Sequence, residues 1–370
     1  MTFCATCLLG LEGLVANELR HHEIENVRAE NGRVLFDGDM STLARANICS
    51  RYAERIHILV AEFRAVTFEQ LFENVKKVDW SKYIKGDEAF PVKGSSINSK
   101  LNSIPACQKI IKKAVVESLR KSYVVDWFEE TGTMHKIQFL IIKDKVSIMI
   151  DTSGDGLHKR GYRENANAAP IRETLAAAMV DLAHVRKNHI VCDPMCGSGT
   201  VLIEATLKAL NIMPGINRSF IAEEWKISEP EVWCSERERA RSLENRDCTF
   251  KAYGYDVDEE ALKLAQENAE KAGVLDRITF EKRDVADFES DEEYLTVITN
   301  PPYGERLLDI NEAERLYKIM GERFTKREHY SYTIISPDDD FEKCFGRVAD
   351  KRRKLYNGML KCNVYMYYKS

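Results

Sequence analysis

The chain lacks the features that place a protein in a membrane or outside the cell. None of its apolar runs approaches the roughly 18–20 residues that a membrane-spanning helix needs. Its N-terminal segment has no basic stretch and carries Glu12 and Glu18, so we expect no signal peptide. The 10 cysteines are scattered without the spacing of a disulfide framework. These absences predict a globular protein of the reducing cytoplasm, with no membrane partner.

A complete set of zinc ligands is also missing. Cys4 and Cys7 form a CxxC pair, but no second Cys pair or His pair at ligand spacing accompanies it. We therefore interpret both cysteines as residues of a first strand and its following turn. We expect no metal site.

Basic residues are outnumbered overall, since the formal net charge is -5, but one segment reverses the balance. From residue 76 to residue 121, eleven basic residues accompany four acidic ones. Such a local excess is a candidate footprint for nucleic-acid phosphates, with a solvated charged face as the alternative. The polar, glycine-rich segment 151–168 adds further cations and resembles an interdomain connection. The predicted RNA contacts are Lys93, Lys109, Lys112, Lys113, Lys159, Arg160 and Arg163.

The stretch HIVCDPMCGSGTVLIEA (189–205) organises the second half of the chain. A short apolar run, a glycine turn and an apolar-periodic run predict a strand, a tight turn and a helix. In doubly wound α/β proteins this unit holds nucleotide-like ligands, because glycine permits close approach and the helix N-terminus offers free N–H groups. No lysine follows Gly199, which argues against a triphosphate and for a cofactor such as S-adenosylmethionine. The predicted cofactor contacts here are Asp193, Pro194, Cys196, Gly197, Ser198, Gly199 and Thr200.

Polar residues follow the next predicted strands in the same way. Asp256 ends the second strand and is placed to accept the two ribose hydroxyls. Asp284, followed by Val285, ends the third and is placed to accept from the adenine amino group. Either aspartate alone could be a helix cap, but the repetition at successive strand ends favours a binding site.

The fourth strand runs into the sequence Asn300-Pro301-Pro302-Tyr303. The two prolines stiffen the backbone and leave its carbonyls free to accept hydrogen bonds. The Asn300 side-chain oxygen and the Pro301 carbonyl can together hold an exocyclic amine, and Tyr303 offers a ring for base stacking. We therefore predict that these four residues are catalytic, and that Asn300 also touches the cofactor.

The remaining pattern predicts an α/β architecture with a smaller α+β region in front. Residues 1–60 suggest a β-α-β-α-β order and a ferredoxin-like sheet. A turn is expected at 93–96, a hairpin at Lys143-Asp144, and a helix that begins at Pro170. An insertion at about 211–249 carries one charged helix, and a hairpin about Asn357-Gly358 ends the chain.

The motifs DPMCGSGT and NPPYGER together resemble those of S-adenosylmethionine-dependent methyltransferases that methylate amines. Three narrower features, APIRETLAAAM (169–179), DTSGDGLHKRGYR (151–163) and the terminal LYNG (355–358), resemble bacterial THUMP-domain methyltransferases of guanine N2 in 23S rRNA. The resemblance implies a ferredoxin-like domain (1–62), a THUMP RNA-binding domain (63–157), a linker (158–168) and a Rossmann-type methyltransferase domain (169–370). It also implies cofactor contacts from Arg172 and Thr174. Some relatives carry a second methyltransferase domain, and we expect no second activity here.

The implied reaction is methyl transfer to a guanine N2 in 23S rRNA, driven by positioning, without a His or Cys base. The closest alternative is methylation of a guanine N2 in tRNA. Adenine N6 methylation of DNA or RNA uses the same asparagine-proline-proline-aromatic motif. Protein glutamine methylation and a non-catalytic RNA-binding role are the remaining alternatives.

Overall fold

Two seven-stranded sheets form the framework of the protein. The computed structural model describes residues 1–123, 127–163, 171–303, 310–358 and 360–368. The expected helix start at Pro170, the expected domain start at Ala169, the linker residues 164–168, and Gly304, Glu305 and Arg306 of NPPYGER lie outside the described residues.

The first sheet and its four helices occupy residues 1–151. Its strands are β1 (Thr2–Cys7), β2 (Glu25–Glu30), β3 (Arg33–Asp37), β4 (Ala53–Arg64), β5 (Val92–Ile97), β6 (Ile137–Ile142) and β7 (Lys145–Asp151). Its helices are α1 (Glu12–His21), α2 (Met40–Cys49), α3 (Phe68–Lys76) and α4 (Ile104–Tyr123). The strand order is β2-β3-β1-β4-β7-β6-β5, and every pair is antiparallel except β5 with β6. Because β4 pairs with β1 on one side and β7 on the other, the predicted ferredoxin-like and THUMP regions share one sheet.

Two predictions for this half were wrong. The order is β-α-β-β-α-β, because the unpredicted β2 precedes β3; its ENVRAE sequence is almost wholly exposed and has no apolar alternation. The turn expected at 93–96 is part of β5, which pairs with β6 in parallel. At Gly94 an added Cβ would lie 2.5 Å from the Phe139 ring, so glycine permits close packing here instead of a turn.

The second sheet is of the Rossmann type. Its elements are α5 (Glu173–Leu182), β8 (Ile190–Asp193), α6 (Thr200–Ala209), α7 (Pro230–Ser242), β9 (Lys251–Asp256), α8 (Glu259–Lys271), β10 (Ile278–Lys282), β11 (Leu295–Thr299), α9 (Ile310–Arg323), β12 (Tyr330–Ser336), α10 (Phe341–Phe345), β13 (Lys351–Asn357) and β14 (Leu360–Tyr367). The order is β10-β9-β8-β11-β12-β14-β13, in which the first five strands are parallel. The antiparallel pair β13–β14 confirms the predicted terminal hairpin. Parallel pairing brings the carboxyl ends of β8, β9, β10 and β11 to one edge of the sheet.

The two halves pack tightly against each other. One apolar core cluster includes Phe3 and Phe139 of the first half as well as Leu175 and Leu202 of the second. The insertion carrying α7 adds polar contacts, since Glu236 pairs with Arg45 of α2 at 2.7 Å. None of the described helices is long and apolar enough to span a membrane.

Candidate cofactor and substrate site

The glycine turn after β8 has the backbone shape that the sequence predicts. Gly197 and Gly199 have φ values of +50° and +77°, a left-handed region that other residues adopt at a cost. A Cβ at Gly197 would meet nothing within 4 Å, whereas one at Gly199 would lie 3.1 Å from the Ala265 Cβ. Gly197 therefore faces open space and Gly199 faces the core. The turn leaves its open side free for a ligand.

That open space is a cavity of about 510 Å³ at the carboxyl edge of the second sheet. This volume suits a nucleotide-sized ligand. Most of the predicted site residues line it: Asp193, Pro194, Cys196, Gly197, Ser198, Thr200, Asp256, Asp284, Val285, Asn300 and Pro302. The structure thus brings together four strand ends that are far apart in sequence.

Asp193 is the most buried carboxylate of the cavity wall, with 2% of its surface exposed. Burial raises the pKa of Asp193 to about 7, and the negative charge of Asp256 acts in the same direction. The Met195 amide N–H, which donates to Oδ1 at 3.2 Å, opposes the shift. A cationic ligand group nearby would favour the ionised form.

The carboxylates of Asp256 and Asp284 accept hydrogen bonds from backbone N–H groups and keep further acceptor positions for a ligand. The Gly197 N–H donates to Oδ2 of Asp256 at 2.8 Å, and the Asp258 N–H donates to Oδ1 at 3.0 Å. Asp284 accepts from the Ala286 N–H at 2.8 Å through one oxygen. Since a carboxylate has about four acceptor positions, hydroxyl and amino donors of a ligand can still be bound.

Asn300 presents the most informative polar atom of the site. Its side-chain oxygen is buried and accepts no hydrogen bond from the described residues. A buried acceptor without a donor is costly, and such groups mark sites where a ligand completes the bonding. Pro301, next in the chain, is buried but does not line the cavity.

Tyr303 differs from the exposed stacking surface that its motif suggests. The Asn357 side-chain N–H donates to its hydroxyl at 3.0 Å, so the terminal hairpin holds the ring. Burial is the main cause that raises the pKa of Tyr303 above the ordinary range. Its ring is therefore a partly buried and fixed surface.

Sequence reasoning missed several residues of the cavity wall. Ile171, Met195, Val257 and Arg283 contribute, and α9 adds Glu312, Arg315, Leu316 and Ile319. The apolar spacing of Ala313, Leu316, Tyr317 and Met320 could have revealed this helix. Its place beside the cavity depends on packing that the sequence does not display.

Arg172 and Thr174 lie away from the cavity lining, contrary to the sequence-based expectation. The Thr174 hydroxyl donates to Glu54 of β4 at 2.6 Å, and Arg172 donates to the same carboxylate at 3.0 Å. Both side chains therefore join the start of α5 to the first sheet.

The predicted RNA-binding cations divide into two sets. Lys93, Lys109 and Lys113 are exposed on the first half, while Lys112 is half-buried, pairs with Glu130 at 2.5 Å and lies over the Phe90 ring. Lys159 is exposed and pairs with Asp155.

Arg160 and Arg163 are placed inside the protein, which is at odds with RNA contact. Arg160 is 5% exposed and donates to the carbonyls of Leu157 and Arg51 at 2.6 and 2.5 Å. Arg163 pairs with Glu173 at 3.0 Å, with 11% of its side chain exposed. Buried carbonyls and carboxylates need cationic donors, and charge in a sequence does not distinguish that use from a surface one.

The CxxC pair shows no sign of reactive chemistry. Cys4 is fully buried in β1, and burial raises its pKa to about 12. Within the described ranges, no group of three or more His, Cys, Asp or Glu side chains is arranged to hold a metal ion.

Three family models match successive parts of the chain. The RlmL ferredoxin-like domain matches residues 2–57, and the THUMP domain matches residues 65–151. The RMKL-like, methyltransferase domain matches residues 160–366, which is more than half of the chain.

Relatives match over the whole chain. The "Putative RNA methyltransferase YpsC" of Bacillus subtilis is 42% identical and covers 99% of this chain and 96% of its own length. The "Ribosomal RNA large subunit methyltransferase K/L" of Psychromonas ingrahamii is 33% identical over 95% of this chain. The chain spans about half the length of that relative, 48%.

Solved structures agree with this match. A possible methylase from Clostridium difficile 630 has a TM-score of 0.96, 46% identity, and coverage of 100% of this chain and 98% of its own. SMU.472, described as "a putative methyltransferase complexed with SAH", has a TM-score of 0.94, 40% identity, and coverage of 100% and 98%. The chain therefore belongs to the RMKL-like methyltransferase family, with its methyltransferase domain preceded by RlmL ferredoxin-like and THUMP domains.

Proposed function

We propose that this protein is an S-adenosylmethionine-dependent methyltransferase that modifies the exocyclic N2 amine of a guanosine in large-subunit ribosomal RNA. The observation that carries the proposal is the buried Asn300 oxygen without a donor, which lies on the wall of the cavity that Gly197 and Asp256 also line. The cavity thus combines a place for a cofactor with an acceptor for an amine.

The residues of the cavity fit S-adenosylmethionine. The open space at Gly197 and the start of α6 suit the amino-acid end of the cofactor, because the first N–H groups of a helix have no partner within the helix and favour a carboxylate. Asp256 is placed for the ribose hydroxyls and Asp284 for the adenine amino group. The apolar side chains of Val257, Val285, Leu316 and Ile319 also line the cavity and would pack against the adenine ring.

The chain contributes orientation rather than a strong base. When bound, S-adenosylmethionine supplies an electrophilic methyl group. The Asn300 oxygen, whose residue lines the cavity, accepts a hydrogen of the substrate amine, and this bond directs the nitrogen lone pair toward that methyl group. Because holding the reacting atoms in line removes much of the entropic cost, this positioning provides most of the acceleration. The amine proton leaves to solvent after transfer.

Three features support RNA as the substrate. The first half matches a THUMP domain, and its exposed surface carries Lys93, Lys109 and Lys113. The relatives from Bacillus and Psychromonas bear the names of RNA and ribosomal RNA methyltransferases. Asn357 holds the ring of Tyr303, which follows Asn300 in the same motif and would give an unstacked base a partly exposed aromatic surface.

The test is methyl transfer to protein-free 23S rRNA from a strain that lacks the gene, followed by mass spectrometry of the nucleosides. We expect N2-methylguanosine with the wild-type protein and a rate of its formation about 10²–10³ lower with Asn300→Ala. Transfer RNA from the same strain is assayed in parallel. N6-methyladenosine as the product, or modification of tRNA alone, would overturn the assignment of base or of RNA class.

A further inference from the structure

The guanidinium of Arg163 connects two walls of the cofactor cavity. Its Nη1 donates to the Ile171 carbonyl at 3.0 Å and to the Thr200 hydroxyl at 3.2 Å. Both Ile171 and Thr200 line the cavity, whereas Arg163 does not. The same side chain pairs through Nη2 with Glu173 at 3.0 Å.

We propose that Arg163 is a positioning residue that fixes the shape of the cofactor cavity by joining the start of α6 to the segment before α5. This inference rests on the proposed use of S-adenosylmethionine and assigns a role to a residue that touches neither cofactor nor substrate. The geometry is specific, because one planar guanidinium donates from Nη1 to a carbonyl and a hydroxyl while its Nη2 forms an ion pair with a carboxylate.

The first wall is the beginning of α6. Thr200 is its first residue and follows Gly199 directly, so the position of its hydroxyl is coupled to the glycine turn. The Ser198 and Thr200 hydroxyls lie 3.3 Å apart, which extends the contact into the turn. A shift of Thr200 would therefore move the N–H groups that face the ligand.

The second wall is held from two directions. Glu54 of β4 binds Arg172 and Thr174, while Arg163 binds the carbonyl of Ile171 and the carboxylate of Glu173. These contacts hold the backbone at Ile171, whose side chain lines the cavity. Through Glu54, the first sheet therefore helps to hold this wall of the cofactor cavity.

The burial of Glu173 explains why the cation is required. Glu173 is 2% exposed, and burial raises its pKa, while the positive charge of Arg163 acts against that shift. Without Arg163 the buried Glu173 carboxylate would lose its ion-pair partner and keep only the weaker influence of Arg160, so the start of α5 would rearrange or Glu173 would take up a proton. Either change would reach Ile171, two residues earlier.

The experiment measures S-adenosylhomocysteine binding by calorimetry, with thermal unfolding of the free protein recorded beside it. Arg163→Met is expected to weaken binding about tenfold, as groups in one hydrogen-bond network are coupled. Thr200→Val should cost less affinity in the Arg163→Met background than in the wild type, because the shared bond is already lost.

Arg237→Met is the matched control. Arg237 also pairs with a glutamate, Glu223, and donates to a carbonyl, that of Arg218 at 2.8 Å, with 17% of its side chain exposed. It does not line the cavity. We expect this variant to lower thermal stability and leave the affinity unchanged.

Unchanged affinity in a folded Arg163→Met variant, or equal weakening in Arg237→Met, would overturn the positioning role. If Arg163→Met does not fold, Arg163→Lys replaces it: the charge opposite Glu173 remains, and the affinity should still fall because a single ammonium cannot reproduce the planar fork. Wild-type affinity in Arg163→Lys would likewise overturn the role. Failure of the wild-type protein to bind S-adenosylhomocysteine would instead contradict the proposed function itself.

Discussion

The two halves of the protein use sheets of equal size in different ways. In the first sheet nearly all neighbours are antiparallel, so successive strands end at opposite edges. In the second, five strands run parallel and their carboxyl ends meet at one edge. Only the second arrangement can gather Asp193, Asp256, Asp284 and Asn300 around one cavity. The first offers instead a helix-covered unit with exposed lysines, which suits binding of a large anionic partner.

The largest expected effect is a loss of turnover without a loss of binding. Asn300→Ala should lower turnover by about 10²–10³, the usual cost of losing one oriented polar group that acts in the transition state. Affinities for S-adenosylhomocysteine and for RNA should change little. Asn363→Ala, at a half-buried position of β14 that does not line the cavity, is the control and should retain full turnover. Steady-state methyl transfer and calorimetry check both variants, and wild-type turnover in Asn300→Ala would contradict the mechanism.

The next largest effect is a loss of RNA affinity caused by substitutions in the first half of the protein. Replacing Lys109 and Lys113 together by alanine should weaken RNA binding about 30-fold at 0.1 M salt and flatten the log-affinity against log-salt slope by about 1.4–1.8. Lys263→Ala with Lys282→Ala, on exposed positions of the second half, is the matched control. Filter binding over a salt series provides the measurement. Equal losses of RNA affinity in both double variants would contradict the prediction that the first half binds the RNA.

A smaller effect follows from the pKa of Asp193. Since burial raises that pKa to about 7, the folded protein retains a proton that the unfolded chain releases above about pH 4. The contribution of Asp193 to stability therefore falls as pH rises from 4 to 7.

A ligand with an ammonium group binds better to the ionised form of Asp193, so affinity for S-adenosylhomocysteine should rise up to about tenfold from pH 6 to pH 8. Asp193→Asn should flatten this profile, and an unchanged profile would show that Asp193 does not titrate there.

The same contrast explains what the sequence could predict. In the second half, β8 and β9 end at Asp193 and Asp256, Asn300 directly follows β11, and Asp284 follows β10 by two residues. These strand ends could therefore be located and grouped by the rule for parallel sheets. In the first half, β2 has the polar sequence ENVRAE and β5 contains Gly94-Ser95-Ser96, so pairing with neighbours decides their structure.

Charged side chains show more clearly what could not be predicted from the sequence. Lys109 and Arg163 are both basic residues in cation-rich segments, yet one is exposed and the other is enclosed by Ile171, Glu173 and Thr200. The difference arises because buried carboxylates and carbonyls far away in sequence need donors. Such partners are visible only in three dimensions.

The most direct test of the central claim is a crystal structure of the protein with S-adenosylhomocysteine. We expect the ribose hydroxyls to bind Asp256, the amino-acid end to lie at the open face of Gly197, and the sulfur to face Asn300. Binding of the ligand outside the strand-end cavity, or in it with the sulfur directed away from Asn300, would contradict the claim that the parallel strand ends form one methyl-transfer site.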